Sequence, residues 1–247
     1  MNSSSTEKLQ KVIARAGLCS RREAERWIQA GRLKINGQLA TLGDRVAPED
    51  TIQLDNRKLK PVLVEKPRVL LYHKKVGEIC SRNDPEKRQS VFDRLPKLAQ
   101  GRWIAVGRLD FNTSGLLLFT DNGDLANKLM HPSSGIDREY MVRVMGSLSA
   151  QTINILKEGV LLDDGIAKFT DVVPAKQDTE SINQWYYVCL MEGRNREVRR
   201  LFESQSLMVN RLKRVRFGPL FIPAKLRQGQ YQELSDKELS DLMATIQ

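Results

Sequence analysis

The sequence predicts an α+β protein in two parts: a small N-terminal module of two helices and a hairpin, then a larger domain rich in antiparallel strand. Three observations predict it. Two short helical patterns and an Asn-Gly turn fall within the first sixty residues. From Val69 onward, short apolar runs of strand type outnumber helical patterns. No glycine-rich phosphate loop appears, which disfavours a doubly wound parallel sheet. A length of 247 residues suits one small domain plus one of medium size.

The elements of the module can be justified in order. Leu9, Val12, Ile13 and Ala16 recur at helical spacing, and Gly17 supplies a stop. Ser20-Arg21-Arg22-Glu23 reads as a capping box opening a second helix, with Ala24, Trp27 and Ile28 on its apolar side and Gly31 after it. Arg32 to Ile35, Asn36-Gly37 and Gln38 to Leu42 form the strongest hairpin signal in the chain. Thr51 to Leu54 alternates like another short strand. The expected module therefore spans residues 5–55.

Residues 56–68, rich in Lys, Pro and Arg and lacking periodicity, read as a linker. The larger domain is expected over 69–235. Val69–Tyr72, Trp103–Val106, Leu116–Thr120, Tyr140–Val144 and Trp185–Leu190 read as strands. Leu125 and Leu129 mark a helix stopped at His131-Pro132, and Val198, Leu201 and Phe202 mark another. Residues 236–247 are left as a C-terminal tail.

Charge narrows the function. Forty Lys and Arg against thirty Asp and Glu give a net charge of +10. Residues 1–60 hold twelve basic and seven acidic side chains, and residues 194–216 hold eight and two, so the rest is near neutral. Two separated basic centres suit two contacts with one long polyanion. The longest apolar runs fall far short of the ~20 residues that span a bilayer. Met1 to Thr6 is polar with no apolar stretch behind it, so a cytoplasmic protein without a membrane partner is expected. Cys19, Cys80 and Cys189 are too far apart for zinc spacing or a disulfide framework, and the two histidines do not complete a site, so no metal is expected.

Two segments could carry chemistry. Gly107 to Gly115 joins two strands and places Asp110 on a turn, with Arg108 two residues before it. By spacing alone, Asp110 is either a turn-former accepting backbone N–H groups or an ionised carboxylate facing a pocket. Gly193 to Phe202 is the second segment. At helical spacing Arg196, Arg199 and Arg200 fall on one side and Val198, Leu201 and Phe202 on the other, an arginine face docked by its apolar side.

The run from Lys8 through Ser20-Arg21-Arg22-Glu23-Ala24 to Gly31-Arg32-Leu33-Lys34-Ile35-Asn36-Gly37 resembles an S4 RNA-binding domain. Gly107-Arg108-Leu109-Asp110, Asn112 to Leu117, Arg138-Glu139-Tyr140 and Gly193-Arg194-Asn195-Arg196-Glu197-Val198-Arg199-Arg200-Leu201 are similar to the pseudouridine synthases. The branch resembled modifies ribosomal RNA and carries an N-terminal S4 domain. One departure is Lys74-Lys75-Val76-Gly77, where the family has Lys-Pro-x-Gly.

The resemblance implies isomerisation of a uridine in large-subunit (23S) ribosomal RNA by a monomer, without cofactor and with the base flipped out. Asp110 is then the essential carboxylate, Tyr140 stacks on the base, and Arg199 pairs with Asp110. Arg15, Arg21, Arg22, Arg26, Arg32, Arg108, Arg194, Arg196, Arg211 and Arg214 become the RNA contacts, with Lys213 and Arg216 beside them. A non-catalytic S4-type rRNA-binding or ribosome-assembly factor also accounts for the charge, but leaves Asp110 and Tyr140 without a role. RNA cleavage finds neither a second carboxylate cluster nor a histidine pair.

Overall fold

In a computed structural model, residues 6–59, 66–175 and 181–246 are described. The chain divides into two compact units. The first takes the described residues up to Pro67 together with Pro96–Ile104 and Asp121–Gly123; the second holds the remainder.

The first unit contains β1 (Glu7–Lys8), α1 (Leu9–Arg15), α2 (Arg21–Gln29), β2 (Leu33–Ile35), β3 (Gln38–Leu39), β4 (Arg45–Val46), β5 (Ile52–Leu54) and β6 (Arg57–Lys58). Strands β3-β2-β5-β6 form an antiparallel sheet, so pairing continues into the segment read as linker. Asn36 and Gly37 both adopt positive φ (50° and 86°), the backbone of a tight hairpin turn. Leu9, Ile13, Ala24, Ile28, Leu33 and Ile52 fill the core between helices and sheet. The capping box at α2 is only half made. Ser20 accepts from the Glu23 N–H at 3.1 Å, but the Glu23 carboxylate turns to Arg26 and to the Trp27 indole.

The second unit contains β7 (Val69–Lys74), β8 (Ile104–Val106, whose first residue groups with the other unit), β9 (Ser114–Thr120), α3 (Gly123–Met130), β10 (Arg138–Met145), α4 (Ala150–Glu158), β11 (Val160–Leu162), β12 (Gly165–Ala167), β13 (Asp171–Pro174), β14 (Asn183–Leu190), α5 (Glu197–Glu203), β15 (Val209–Phe217), β16 (Leu220–Phe221), β17 (Tyr231–Glu233) and α6 (Asp236–Ala244). Its central sheet runs β13-β14-β10-β15-β9-β7-β17 and is antiparallel except where β15 meets β9 in parallel. Every residue of β7 and β9 is buried, as their continuous apolar runs demand.

Two features depart from expectation. Within the expected C-terminal tail, Asp236–Ala244 is the helix α6: Ser235 caps it in a reciprocal box with Glu238, and Leu239 and Leu242 are buried. The arginine-rich stretch after α5 is the nine-residue strand β15, central in the sheet. Its alternation is hidden because Arg214 takes an inward position and two register shifts against β10 break the period of two.

Candidate active site

A cavity of about 700 Å³ opens in the second unit. Its floor is the sheet surface at Tyr140 of β10 and Leu212 and Arg214 of β15. One wall is the turn Ala105–Asp110 with Thr113, and the other is Leu190–Val198. The two segments singled out for their chemistry, distant in the chain, therefore face one space.

The turn is set by its own main chain. The Thr113 N–H donates to the Asp110 main-chain oxygen at 3.0 Å, and no described N–H donates to its side chain, so the Asx-turn reading of Asp110 does not hold. The carboxylate of Asp110 takes no hydrogen bond or ion pair from any described residue. The cavity's other two carboxylates are engaged. Glu192 pairs with Arg194 at 2.5 Å, and Glu197 accepts the Arg194 N–H at 2.9 Å while burial pushes its carboxyl pKa up. Burial likewise raises the Cys80 thiol, leaving it protonated at neutral pH. Among the carboxylates lining the cavity, Asp110 is thus the uncommitted one.

What holds Asp110 in place is a pair of cations behind the turn. Lys74, the last residue of β7, is fully buried, and its ammonium donates to the carbonyls of Lys75 (2.8 Å), Asp110 (3.1 Å) and Thr113 (2.8 Å). Burial pulls its pKa down, while the carboxylates of Glu78 and Asp110 act in the other direction. Arg199 of α5 donates to the carbonyls of Asn112 (3.0 Å) and Val209 (2.8 Å). The expected pairing of Arg199 with the Asp110 carboxylate is accordingly corrected. Arg199 feels the charge of Asp110, but its fork is spent on carbonyls and it does not line the cavity. The expected arginine face is corrected with it: Arg199 is 8% exposed, and Arg200 is held by both oxygens of Asp164 at 2.8 Å. Arg196 precedes α5 in left-handed backbone rather than extending its face.

The Lys74-Lys75-Val76-Gly77 departure acquires a reason. The Lys75 N–H donates to the buried Glu78 carboxylate at 3.0 Å, beside the Tyr72 hydroxyl at 2.9 Å. Proline has no such donor.

The expected RNA contacts divide. Arg108 is exposed at the cavity mouth, and Arg194 and Arg196 line it, each also in an ion pair. Arg211 is exposed on β15. Arg214 is 3% exposed and cannot grip a passing backbone; its Nε donates to the Leu116 carbonyl at 2.7 Å. Arg216 is bound to Asp137 (2.6 Å) and Glu139 (3.1 Å). In the first unit Arg21 and Arg22 are exposed at the start of α2, and Arg26 is exposed with Glu23 at 3.0 Å. Arg15 pairs with Glu7, and Arg32 grips Asp55 while its guanidinium lies 4.9 Å from the Trp27 ring centre. Sequence reasoning missed Lys74; a lysine pair closing an apolar strand was its available signal. No group of three His, Cys, Asp or Glu placed to hold a metal occurs among the described residues.

A sheet-floored cavity with one uncommitted aspartate, a buried tyrosine and an arginine rim defines the class. The chain belongs to the RNA pseudouridylate synthase family, whose model matches residues 68–204, and an S4 domain model matches residues 7–52. It is an isomerase of that class. Among its relatives is ribosomal large subunit pseudouridine synthase B of Pseudomonas aeruginosa, 54% identical over 97% of this chain; the match spans 62% of that protein's length. The protein of the same name from Vibrio cholerae is 51% identical over 98% of this chain and 76% of its own. A solved structure described as a pseudouridylate synthase shares the fold, with a TM-score of 0.66 and 24% identity over 95% of this chain and 99% of its own.

Proposed function

We propose that the protein converts a uridine of large-subunit (23S) ribosomal RNA to pseudouridine, with Asp110 as the reacting carboxylate. The observation that carries this is the pairing, in one cavity, of an unpartnered Asp110 with Tyr140 while the other cavity carboxylates are occupied. The reaction breaks N1–C1′, turns the base and rejoins it through C5, with the C5 proton ending on solvent. Asp110 acts at the ribose, by attack on C1′ or by removing the C2′ proton. Lys74 and Arg199 set positive charge behind it and fix the turn that aims it. Tyr140 supplies a ring for the base to stack on, and the target nucleotide must leave the helix to reach it.

The remaining roles follow the same reading. Residues 5–55 form the RNA-gripping module and residues 69–235 the catalytic domain. Arg21, Arg22, Arg26, Arg108, Arg194, Arg196 and Arg211 contact RNA, with Arg15 and Arg32 supporting the module's surface. The same reading has the protein act as a monomer. The substrate implies a cytoplasmic setting, and no helix among the described residues is long and apolar enough to cross a membrane.

The test is to map pseudouridines in ribosomal RNA from cells lacking the protein, then from cells carrying Asp110→Asn. One large-subunit site should disappear in both. A complete pattern in the Asp110→Asn cells would refute the assignment.

A further inference from the structure

Arg214 is out of place for an RNA backbone contact and too costly for filler. It sits in the middle of β15, aligned with Tyr140 of β10 on one side and Gly115 of β9 on the other. Its guanidinium has no carboxylate partner among the described residues. The Nε bond to Leu116 ties two strands together, which one neutral donor could do as well. Nη2 is enclosed with no hydrogen-bond partner, and so is the hydroxyl of Thr113, which lines the same cavity. An enclosed polar atom without a partner is costly, because it loses its water and gains nothing in return. Nine such side-chain atoms occur among the described residues, and these two are the ones whose residues line the cavity. Two at the wall of one cavity indicate groups completed by a ligand.

The acceptor that fits is identified by position. A base stacked on Tyr140 brings its edge over the neighbouring strand, where Arg214 lies. That edge must offer lone pairs, and uracil offers two ring carbonyl oxygens, O2 and O4. We propose that the Arg214 guanidinium donates to a ring carbonyl oxygen of the everted uracil and stabilises the base as it leaves the ribose. The inference rests on the uridine-isomerising reading above. When N1–C1′ breaks, the bonding pair moves to the base. The negative charge then spreads through the ring onto O2 and O4, while C1′ gains the Asp110 oxygen or C2′ loses its proton to it. A cation fixed at either oxygen binds this anion more strongly than the neutral base, so it accelerates the step rather than merely holding substrate.

The experiment compares single-turnover rates on a large-subunit RNA fragment bearing the target as uridine, 2-thiouridine or 4-thiouridine; sulfur is a poor acceptor. The enzymes are wild type, Arg214→Met and Arg214→Lys, with circular dichroism to establish folding. Wild type should slow by about 10- to 100-fold on one thio substrate. Arg214→Met should slow by a similar factor on plain uridine at saturating RNA, and should no longer distinguish that thio substrate from uridine. Arg214→Lys, which keeps a charge but not the fork, should fall between them and decides the matter if the methionine variant does not fold. Loss of sensitivity at C4 assigns O4, and at C2 assigns O2. The proposal is overturned if wild type ignores both sulfurs, if the variants keep its full sensitivity, or if they lose RNA affinity alone. Failure of wild type to act on plain uridine would instead reject the functional reading.

Discussion

Lys74 and Asp110 are joined by a hydrogen bond through the main chain and not by an ion pair: the ammonium lies 3.1 Å from the Asp110 carbonyl oxygen and makes no hydrogen bond to the carboxylate. The lysine therefore sets where the carboxylate stands while leaving both of its oxygens available. Replacing Lys74 by Met strands the carbonyls of Lys75 and Thr113, while that of Asp110 keeps the Thr113 N–H; each stranded carbonyl is worth about 1–3 kcal/mol when left unsatisfied. Urea unfolding should show a loss of at least that size, and the single-turnover rate should fall more than RNA affinity. An unchanged rate in a folded Lys74→Met protein would show that the turn holds itself.

Arg199 predicts a different balance. Its two carbonyl bonds pin the Asn112 end of the turn to β15, and its charge acts on Asp110 from behind. Arg199→Ala should lower turnover at saturating RNA with little change in binding. A loss confined to affinity, measured by filter binding, would move Arg199 among the RNA contacts.

Gly115 tests the parallel contact beneath the cavity. It has φ +109°, and a Cβ there would collide with the main-chain oxygen and nitrogen of Arg214. Backbone on the opposing strand cannot swing aside as a side chain can. Gly115→Ala should thus cost more than the ~1–3 kcal/mol of an unfavourable φ alone, read as a lowered Tm with loss of activity. Lys75→Pro should be milder. It deletes the N–H bonded to Glu78, a loss of about 1.5–3 kcal/mol that outweighs the ~0.4–1 kcal/mol a proline gains by stiffening the unfolded chain.

The exposed arginines opening α2 predict a salt effect. Arg21→Ala or Arg22→Ala should weaken RNA binding and reduce the slope of log affinity against log salt by about one per lost phosphate contact. Titrations at several salt concentrations measure both. An unaltered slope would place the RNA on another face of the module.

Much of this was readable in the sequence where signals are local. Asn36-Gly37, Ser20 and Gly17 each dictate backbone within a few residues, so the module's elements fell where the spacing put them. The motif segments around Asp110, Tyr140 and Arg194 were legible too, and they share the cavity. What spacing could not show is which partner a cation takes. Arg199 and Arg214 look alike in the chain, yet one clamps carbonyls behind the turn and the other floors the cavity. Strand β15 was hidden for the same reason, since a buried arginine counts as polar in any alternation pattern. Lys74 was overlooked because its burial depends on three carbonyls brought together only by the fold.

The first unit is built from three stretches of chain, and one of its closest approaches is between glycines of two of them: a Cβ on Gly17 would strike the main chain of Gly101. A single crossover after Pro67 leaves residues 96–104 and 121–123 of such a unit behind. A chimera taking its N-terminal module from another protein therefore needs a glycine at position 17 to clear the main chain at 101. The chain's modularity is spatial, and its genetic boundary lies in more than one place.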